Sequence, residues 1–445
     1  MKTFQLKFKT LLVLFMVSLV FASCRDNKES EATKLEANPE QVNKQPKLKA
    51  DPKTAKSIQN KDDAVSSPNS EDGNNTAITL DCNYFKENTN TILKDNPKAS
   101  IDYIITCVTR IDGKLTIEPG VVIAFKQDAG MEFKDGSSFK MKGTAEKPII
   151  LTGKEQTKGF WRGIHSESSN ANNKMSYVTI DFAGGKPPSG GAKAALGIYR
   201  ENSILTLDHC TFSNSKNYGM VVNNKVEKDA YNIVMKNCIF TKNNIPFKTN
   251  VTRLRLFNNA NSFSGNEKDY IELNGGTLYG NATWAGLDVP YFLQGNFKNE
   301  EGVLTMEPGT EIIMPARSWF HISGKASLVM VGTEENPIII RGEHDVPGFW
   351  EQLTIDSSSP LNEIAHVNFK NAGRTTGKPN GAVKLQRSKF LNIHDVVFTD
   401  CFEYGISLNY GSDPFYLKHS NLTLNNTPKL FSDWGGKELT DPDNP

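Results

Sequence analysis

The sequence has no excess of either charge. Its 51 Lys and Arg residues stand against 50 Asp and Glu, a formal net charge of +1 over 445 residues. A general nucleic-acid binder carries a basic excess, so that class is set aside. Long apolar runs are scarce. Hydrophobic residues make up 38% and mean hydropathy is −0.45, which excludes a polytopic membrane protein and leaves enough apolar side chains for a core. None of the six cysteines falls in a Cys-x-x-Cys pair, so a zinc ribbon has no support. Helical periodicity is rare throughout. There is no phosphate-cradling glycine loop, no Ser-His-Asp order and no metal-ligand spacing. Asp102, Asp112 and Asp128 are scattered and form no calcium-binding repeat.

What is present begins at the N-terminus. Lys2, Lys7 and Lys9 precede an apolar run over 11–21, which Phe21-Ala22-Ser23-Cys24 closes. A basic start, a short apolar core and small residues mark an export signal. The run falls short of the ~20 residues of a transmembrane helix. With a cysteine directly after two small residues, the segment resembles a bacterial lipoprotein signal. That resemblance implies cleavage before Cys24, lipidation of Cys24 and attachment to a bilayer. Phe21 departs from the leucine usual there. Arg25, rather than Asp, follows Cys24, which by the same resemblance favours the outer membrane, on its periplasmic or its outer surface.

A solvated stretch follows. No Phe, Tyr or Trp lies between 22 and 83, and residues 25–76 mix 9 basic with 10 acidic residues among Pro, Ser and Asn. Such a chain cannot bury enough apolar area to offset its ordering entropy, and it reads as a linker.

The remainder is a duplication. LTIEPG at 115–120 recurs as LTMEPG at 304–309, GTAEKPIILTG at 143–153 as GTEENPIIIRG at 332–342, and GFW at 159–161 as GFW at 348–350, each offset by 189. The offset then falls to 186: Phe212 matches Phe398, and Tyr218-Gly219 matches Tyr404-Gly405. Three residues are lost from the loop after Gly373 relative to the loop after Gly184. Within each copy a finer period appears. Leu205, Leu207, Cys210 and Phe212 recur as Ile233, Met235, Cys238 and Phe240, and the second copy shows Leu391, Ile393, Val396 and Phe398, then Phe415, Leu417, Ser420 and Leu422. Alternation of apolar and polar residues is a strand signal, and two residues between pairs make a corner. A period of 24 to 28 with short strands predicts stacked coils. Asn, about one residue in ten, suits left-handed corners and stacked ladders.

The strings GKLTIEPGVVIAF (113–125), GTAEKPIILTG, GFWRGI (159–164) and YVTIDFAGG (177–185) resemble the right-handed parallel β-helix repeats of bacterial surface proteins of the Bacteroidetes type, related in fold to pectate lyases. NATW and VPY within 281–291 add to the likeness. The resemblance covers about 79–435. It implies an all-β solenoid of two homologous copies: a signal at 1–23, the lipidated cysteine and linker at 24–78, copy one with a cap at 79–275, copy two at 276–435 and a tail at 436–445. About fourteen coils are expected, at ~4.8 Å each. The second copy departs at Trp350-Glu351-Gln352-Leu353, where the first has Trp161-Arg162-Gly163-Ile164, which puts one turn's geometry in question.

Cys82 and Cys107 flank the start of the folded part, and export permits either a bridge or two buried thiols there. Cys210 and Cys238 are expected as stacked buried thiols. Trp161 and Trp350, matched in both copies, are expected in packing.

Polysaccharide hydrolases on this fold carry Asn-Thr-Asp, Asp-Asp and Gly-His-Gly strings. None occurs in the coils, and the one Asp-Asp pair, Asp62-Asp63, lies in the linker. No Arg-centred lyase motif is present either, so no catalytic residue and no cofactor is assigned, with Ca²⁺ relevant only to a lyase. One charge feature stands out. Lys370, Arg374, Lys378, Lys384, Arg387 and Lys389 run without an intervening acid, a candidate surface for an anionic glycan or a lipopolysaccharide phosphate. His366 and His394 lie nearby and read as ordinary surface histidines. The leading expectation is a lipid-anchored outer-membrane β-helix that binds a polysaccharide or another surface protein without catalysis. A polysaccharide lyase or hydrolase and a structural envelope spacer are the alternatives.

Overall fold

A computed structural model describes residues 76–187, 191–223, 232–377, 379–386, 389–409 and 416–440. The export signal, Cys24, the linker up to residue 75, Lys378, Arg387, Phe415 and the last five residues lie outside the described residues. All described residues belong to one compact unit, Ser70–Pro445.

The chain winds as a parallel β-solenoid of the right-handed type, with about thirteen coils rather than about fourteen. The coils are less uniform than a period of 24 to 28 suggests. Paired positions lie as little as 20 residues apart (Ile271 to Tyr291) and as much as 34 (Met141 to Met175), with 33 from Gly130 to Gly163 on the third face. The same 33-residue coil returns in copy two, from Phe320 to Leu353. The duplication is therefore kept coil by coil in three dimensions.

Each coil contributes to three faces. The first sheet stacks strands such as Ile149–Gly153, Val178–Asp181 and Thr211–Ser213. The second stacks Ser138–Lys142, Lys174–Ser176, Leu205–Asp208 and Ile233–Lys236. The third stacks Gly130–Phe133, Gly163–Ser166, Ala194–Ile198 and Tyr218–Val222. In copy two the strands lengthen and round the corner unbroken, so that Tyr291–Met306 pairs with Ile271–Leu278 and separately with Ala282–Trp284.

Alternation sets what faces inward. Leu205, Leu207, Cys210 and Phe212 are buried, and so are Ile233, Met235, Cys238 and Phe240 in register above them. Like side chains stack on like: Phe212 on Phe240 at 4.7 Å, Phe240 on Phe263 at 5.1 Å. Each such side chain contributes roughly 1.5–3 kcal/mol by leaving water. The corner is made by its second residue. Tyr177, His209, Asn237, His366, Asp395 and Asn421 all have φ between 50° and 55°, the left-handed turn that re-aims the chain.

The last coil corrects the sequence register. Leu391 pairs with Leu417 and Val396 with Leu422, an offset of 26 rather than 24. Ser420 is exposed, while Leu422 and Leu424 pack on the core. A slip of two residues keeps every side chain on its own face, so alternation alone cannot detect it.

Trp161 and Trp350 are fully buried and play one role. Each indole N–H donates at 2.8 Å to a carbonyl 20 residues ahead, Asp181 in copy one and Lys370 in copy two. Asn173 and Asn362 form another matched pair. Each carboxamide oxygen accepts a backbone N–H from the coil before (Phe139 at 3.0 Å, Leu328 at 2.9 Å), and each amide donates to the coil after (Ile204, Phe390). Much of the asparagine content therefore pins coils together rather than only shaping corners.

The N-terminal end is capped by the short helix Tyr84–Glu87, which buries Phe85. Cys82 and Cys107 are joined by a disulfide with Cα atoms 5.8 Å apart. Cys210, Cys238 and Cys401 are free and buried.

Candidate functional site

The structure distributes the basic stretch over two faces. Lys370 ends strand Glu363–Lys370 on the first sheet. Arg374, in the loop beyond, lies over the Phe402 ring at 5.3 Å. Lys384 stands on strand Gly381–Leu385 of the third sheet, and Lys389 follows that strand. Lys384 and Lys389 thus share a region that Lys370 and Arg374 do not.

On the third face of copy two an outward row crosses the coils in register: Lys298, His321, Thr354, Lys384 and Ser407. Alternation puts Phe320, Leu353, Val383 and Ile406 inward and this row on the opposite side of the sheet, where Lys298, His321 and Lys384 are partly exposed while Thr354 and Ser407 are covered. Its charges are unevenly matched. Lys298 pairs with Glu300. His321 Nε2 and Lys389 Nζ each lie 3.8 Å from Asp356. Lys384 is half-buried and, among the described residues, has no ion-pair or hydrogen-bond partner. Burial alone pushes its ammonium below the ordinary lysine range. Beside it the Gln352 amide donates to Thr354 Oγ1 at 3.0 Å, while Gln352 Oε1 and His321 Nε2 are buried without a hydrogen bond.

The equivalent row in copy one is closed. Gly197 occupies the register of Lys384, and Tyr199 folds its ring over that glycine. A Cβ at Gly197 would come within 2.4 Å of the ring. Tyr199 stacks on His165 at 4.5 Å, and its hydroxyl donates to the Ala192 carbonyl at 3.0 Å. Glu167, at the position of Asp356, lies within 3.2 Å of His165, 3.2 Å of Arg200 and 3.8 Å of Lys134. Burial works to raise the Glu167 pKa, but the His165 hydrogen bond and the Lys134 and Arg200 charges outweigh it and hold the carboxyl below its usual range. Burial also pushes the His165 imidazole toward its neutral form.

His366 and His394 lie at a corner of copy two, away from that row. His394 uses both ring nitrogens, 2.7 Å from Asp395 and 3.4 Å from Glu363, and Asp395 also accepts from Asn421 at 3.0 Å. The Asp395 hydrogen bond raises the His394 pKa against the effect of burial. Among the described residues, no group of three or more His, Cys, Asp or Glu is placed to hold a metal ion. Asp102, Asp112 and Asp128 each serve locally: Asp102 accepts the Asn96 and Val122 amides, Asp112 pairs with Arg110, and Asp128 pairs with Lys186.

A cleft opens at the junction of the copies. There the second sheet is interrupted, because the 3-10 helix Val251–Leu256 takes the place of a strand between Ile233–Lys236 and Ala282–Trp284. The gap holds a cavity of about 500 Å³.

His321, Gln352, Thr354 and Asp356 were invisible as site residues in the sequence. The signal lay in the duplication, since Asp356 carries a carboxylate at the position of Glu167. Sequence comparison with known protein families and with curated proteins finds no match.

Proposed function

We propose that this chain is an outer-membrane lipoprotein, anchored through Cys24, that binds anionic polysaccharide without cleaving it. The observation that carries this is the outward third-face row of copy two, where Lys384 is held half-buried without a counter-charge. Lys298, His321 and Lys384 are spread over four successive coils, at ~4.8 Å per coil along the axis, which suits a linear polymer laid lengthwise. Burial strengthens the interaction between Lys384 and an incoming carboxylate or sulfate, because less water screens it. Lys389 and His321 flank it and already share one carboxylate, so a ligand oxyanion competes with Asp356 there.

A second reading, a polysaccharide lyase, is favoured by the same lysine, since an amine with a lowered pKa is a better base at neutral pH. Binding of uronic-acid and sulfated oligosaccharides by the full chain in detergent tests both. Lys384→Ala is expected to weaken binding about tenfold, the scale of one charge-assisted hydrogen bond. Unchanged affinity would remove the third face from the function. Release of unsaturated products by the parent, lost in Lys384→Ala, would make the chain a lyase. The anchor has its own test: Cys24→Ser is expected to move the protein from the membrane to the soluble fraction.

A further inference from the structure

The junction cleft has a chemistry different from the third face. One wall is the 3-10 helix and the loop after it, bearing Arg255 and Asn259. The other is a strand ladder, in which Thr283 and Thr305 are paired in register and both face outward. Asn281 is held by accepting the Val303 amide at 2.8 Å through its carboxamide oxygen, which leaves its NH₂ pointing away from that bond. Glu307, just past the ladder, is exposed and, among the described residues, its side chain has no ion-pair or hydrogen-bond partner. The same holds for the Thr283 and Thr305 hydroxyls.

We infer that this cleft is a second binding site, for a short segment of a neutral, hydroxyl-rich glycan. Three arguments support that ligand class. Charge is the first: the lining has one cation, Arg255, and one carboxylate, Glu307, so it favours neither anions nor cations. Hydrogen-bond type is the second. Amides and hydroxyls both donate and accept, as sugar hydroxyls do, and a carboxylate accepts from two neighbouring hydroxyls at once. Size is the third, since about 500 Å³ lies within the ~300–1,000 Å³ of small-ligand sites. The lining has a single carboxylate, whereas glycoside hydrolysis ordinarily uses two facing ones. The site therefore holds the sugar and does not cut it. Its origin is the helix that replaces a strand: an unbroken second sheet would leave no gap between the copies.

The inference rests on the glycan-binding reading, and its test separates the two. The full chain is assayed on an array of neutral hexose and N-acetylhexosamine oligosaccharides alongside the uronic-acid and sulfated set. Thr305→Val keeps shape and removes the hydroxyl, and Glu307→Gln keeps shape and removes the charge. Both positions face outward, so circular dichroism and melting are expected to match the parent. Each substitution is expected to weaken neutral-glycan binding about tenfold while leaving anionic-glycan binding intact, and Lys384→Ala is expected to do the reverse. Neutral binding that survives both cleft substitutions overturns the cleft. Absence of neutral binding by the parent, with anionic binding retained, also overturns the cleft and leaves the third-face proposal standing. Absence of all glycan binding overturns both.

Discussion

The two copies share a frame and differ on its outside. Inward residues, left-handed corners, the buried tryptophans and the coil-pinning asparagines recur at offsets of 189 and 186. The outward third face does not recur. Copy one folds Tyr199 over Gly197 and gathers two cations, Lys134 and Arg200, and the His165 imidazole on Glu167. Copy two places Lys384 where Gly197 was and leaves Asp356 more exposed, at 40% against 19% for Glu167. In a solenoid every coil must satisfy its neighbours inward, so that side is held fixed, while an outward residue answers only to its own row. Divergence concentrated outward is what a change of surface chemistry on a retained scaffold looks like.

The sharpest way to break the comparison is the turn where the copies disagree. Gly163 has φ +106°, and a Cβ there would lie 2.3 Å from the Ala194 carbonyl oxygen. Gln352, its counterpart, is absent from the left-handed region. Gly163→Gln is therefore expected to destabilise the fold by about 3 kcal/mol or more, since backbone strain and a backbone clash combine. Gln352→Gly is expected to cost about 1 kcal/mol or less. Urea titration of both variants checks this, and equal losses would mean that the two turns are built alike. A smaller effect is expected one row over. Gly197→Ala displaces the Tyr199 ring from His165, at about 1–3 kcal/mol. Lys384→Ala in copy two is expected to stay within about 0.5 kcal/mol of the parent. Comparable losses at both positions would show that the copy-two row is packed and not open.

The smallest effect concerns pH. His165 and His321 on the third face have pKa values lowered by burial, whereas His394 at the corner is raised by Asp395. Unfolded histidine titrates near about 6.5. For the lowered pair, the unfolded chain binds protons more readily as pH falls below that value, so their contribution to stability declines toward acid. For His394 the contribution is fully present below the unfolded value and is lost as pH rises through the raised folded value. Melting curves from acid to neutral pH are expected to show His165→Gln relieving part of the acid loss and His394→Gln removing part of the acid-side gain. Slopes of the same sign in both variants would contradict the assignment.

The fold was legible because its two signals are periodic and redundant. Alternation gave the faces, and the long-offset repeat gave the duplication. The register of the last coil was not legible, since Leu417 and Leu422 can move by two residues without leaving their face. The third-face row was half legible. Lys384 and Lys389 stood out as unpaired in sequence, but Asp356 lies 28 residues before Lys384 and joins them only when coils stack. The junction cleft had no sequence signature at all. It arises from a strand that is not there, and nothing in 251–256 announces that its neighbours will leave a gap.

The disulfide at the head of the solenoid has a mechanical consequence. A pull applied at residue 76 peels strand Ile78–Leu80 from Tyr103–Ile105 along their shared edge. Those bonds yield in turn, like a zip, because they are loaded one after another rather than together. The peel reaches Cys82 after six residues, and there the load passes through a covalent bond to Cys107. Cys107 immediately precedes Val108–Ile111, which is paired along its length with Gly130–Phe133. Force from the N-terminal side therefore bypasses the rest of the first coil and enters the stack at the second, at the head of a strand paired along its full length.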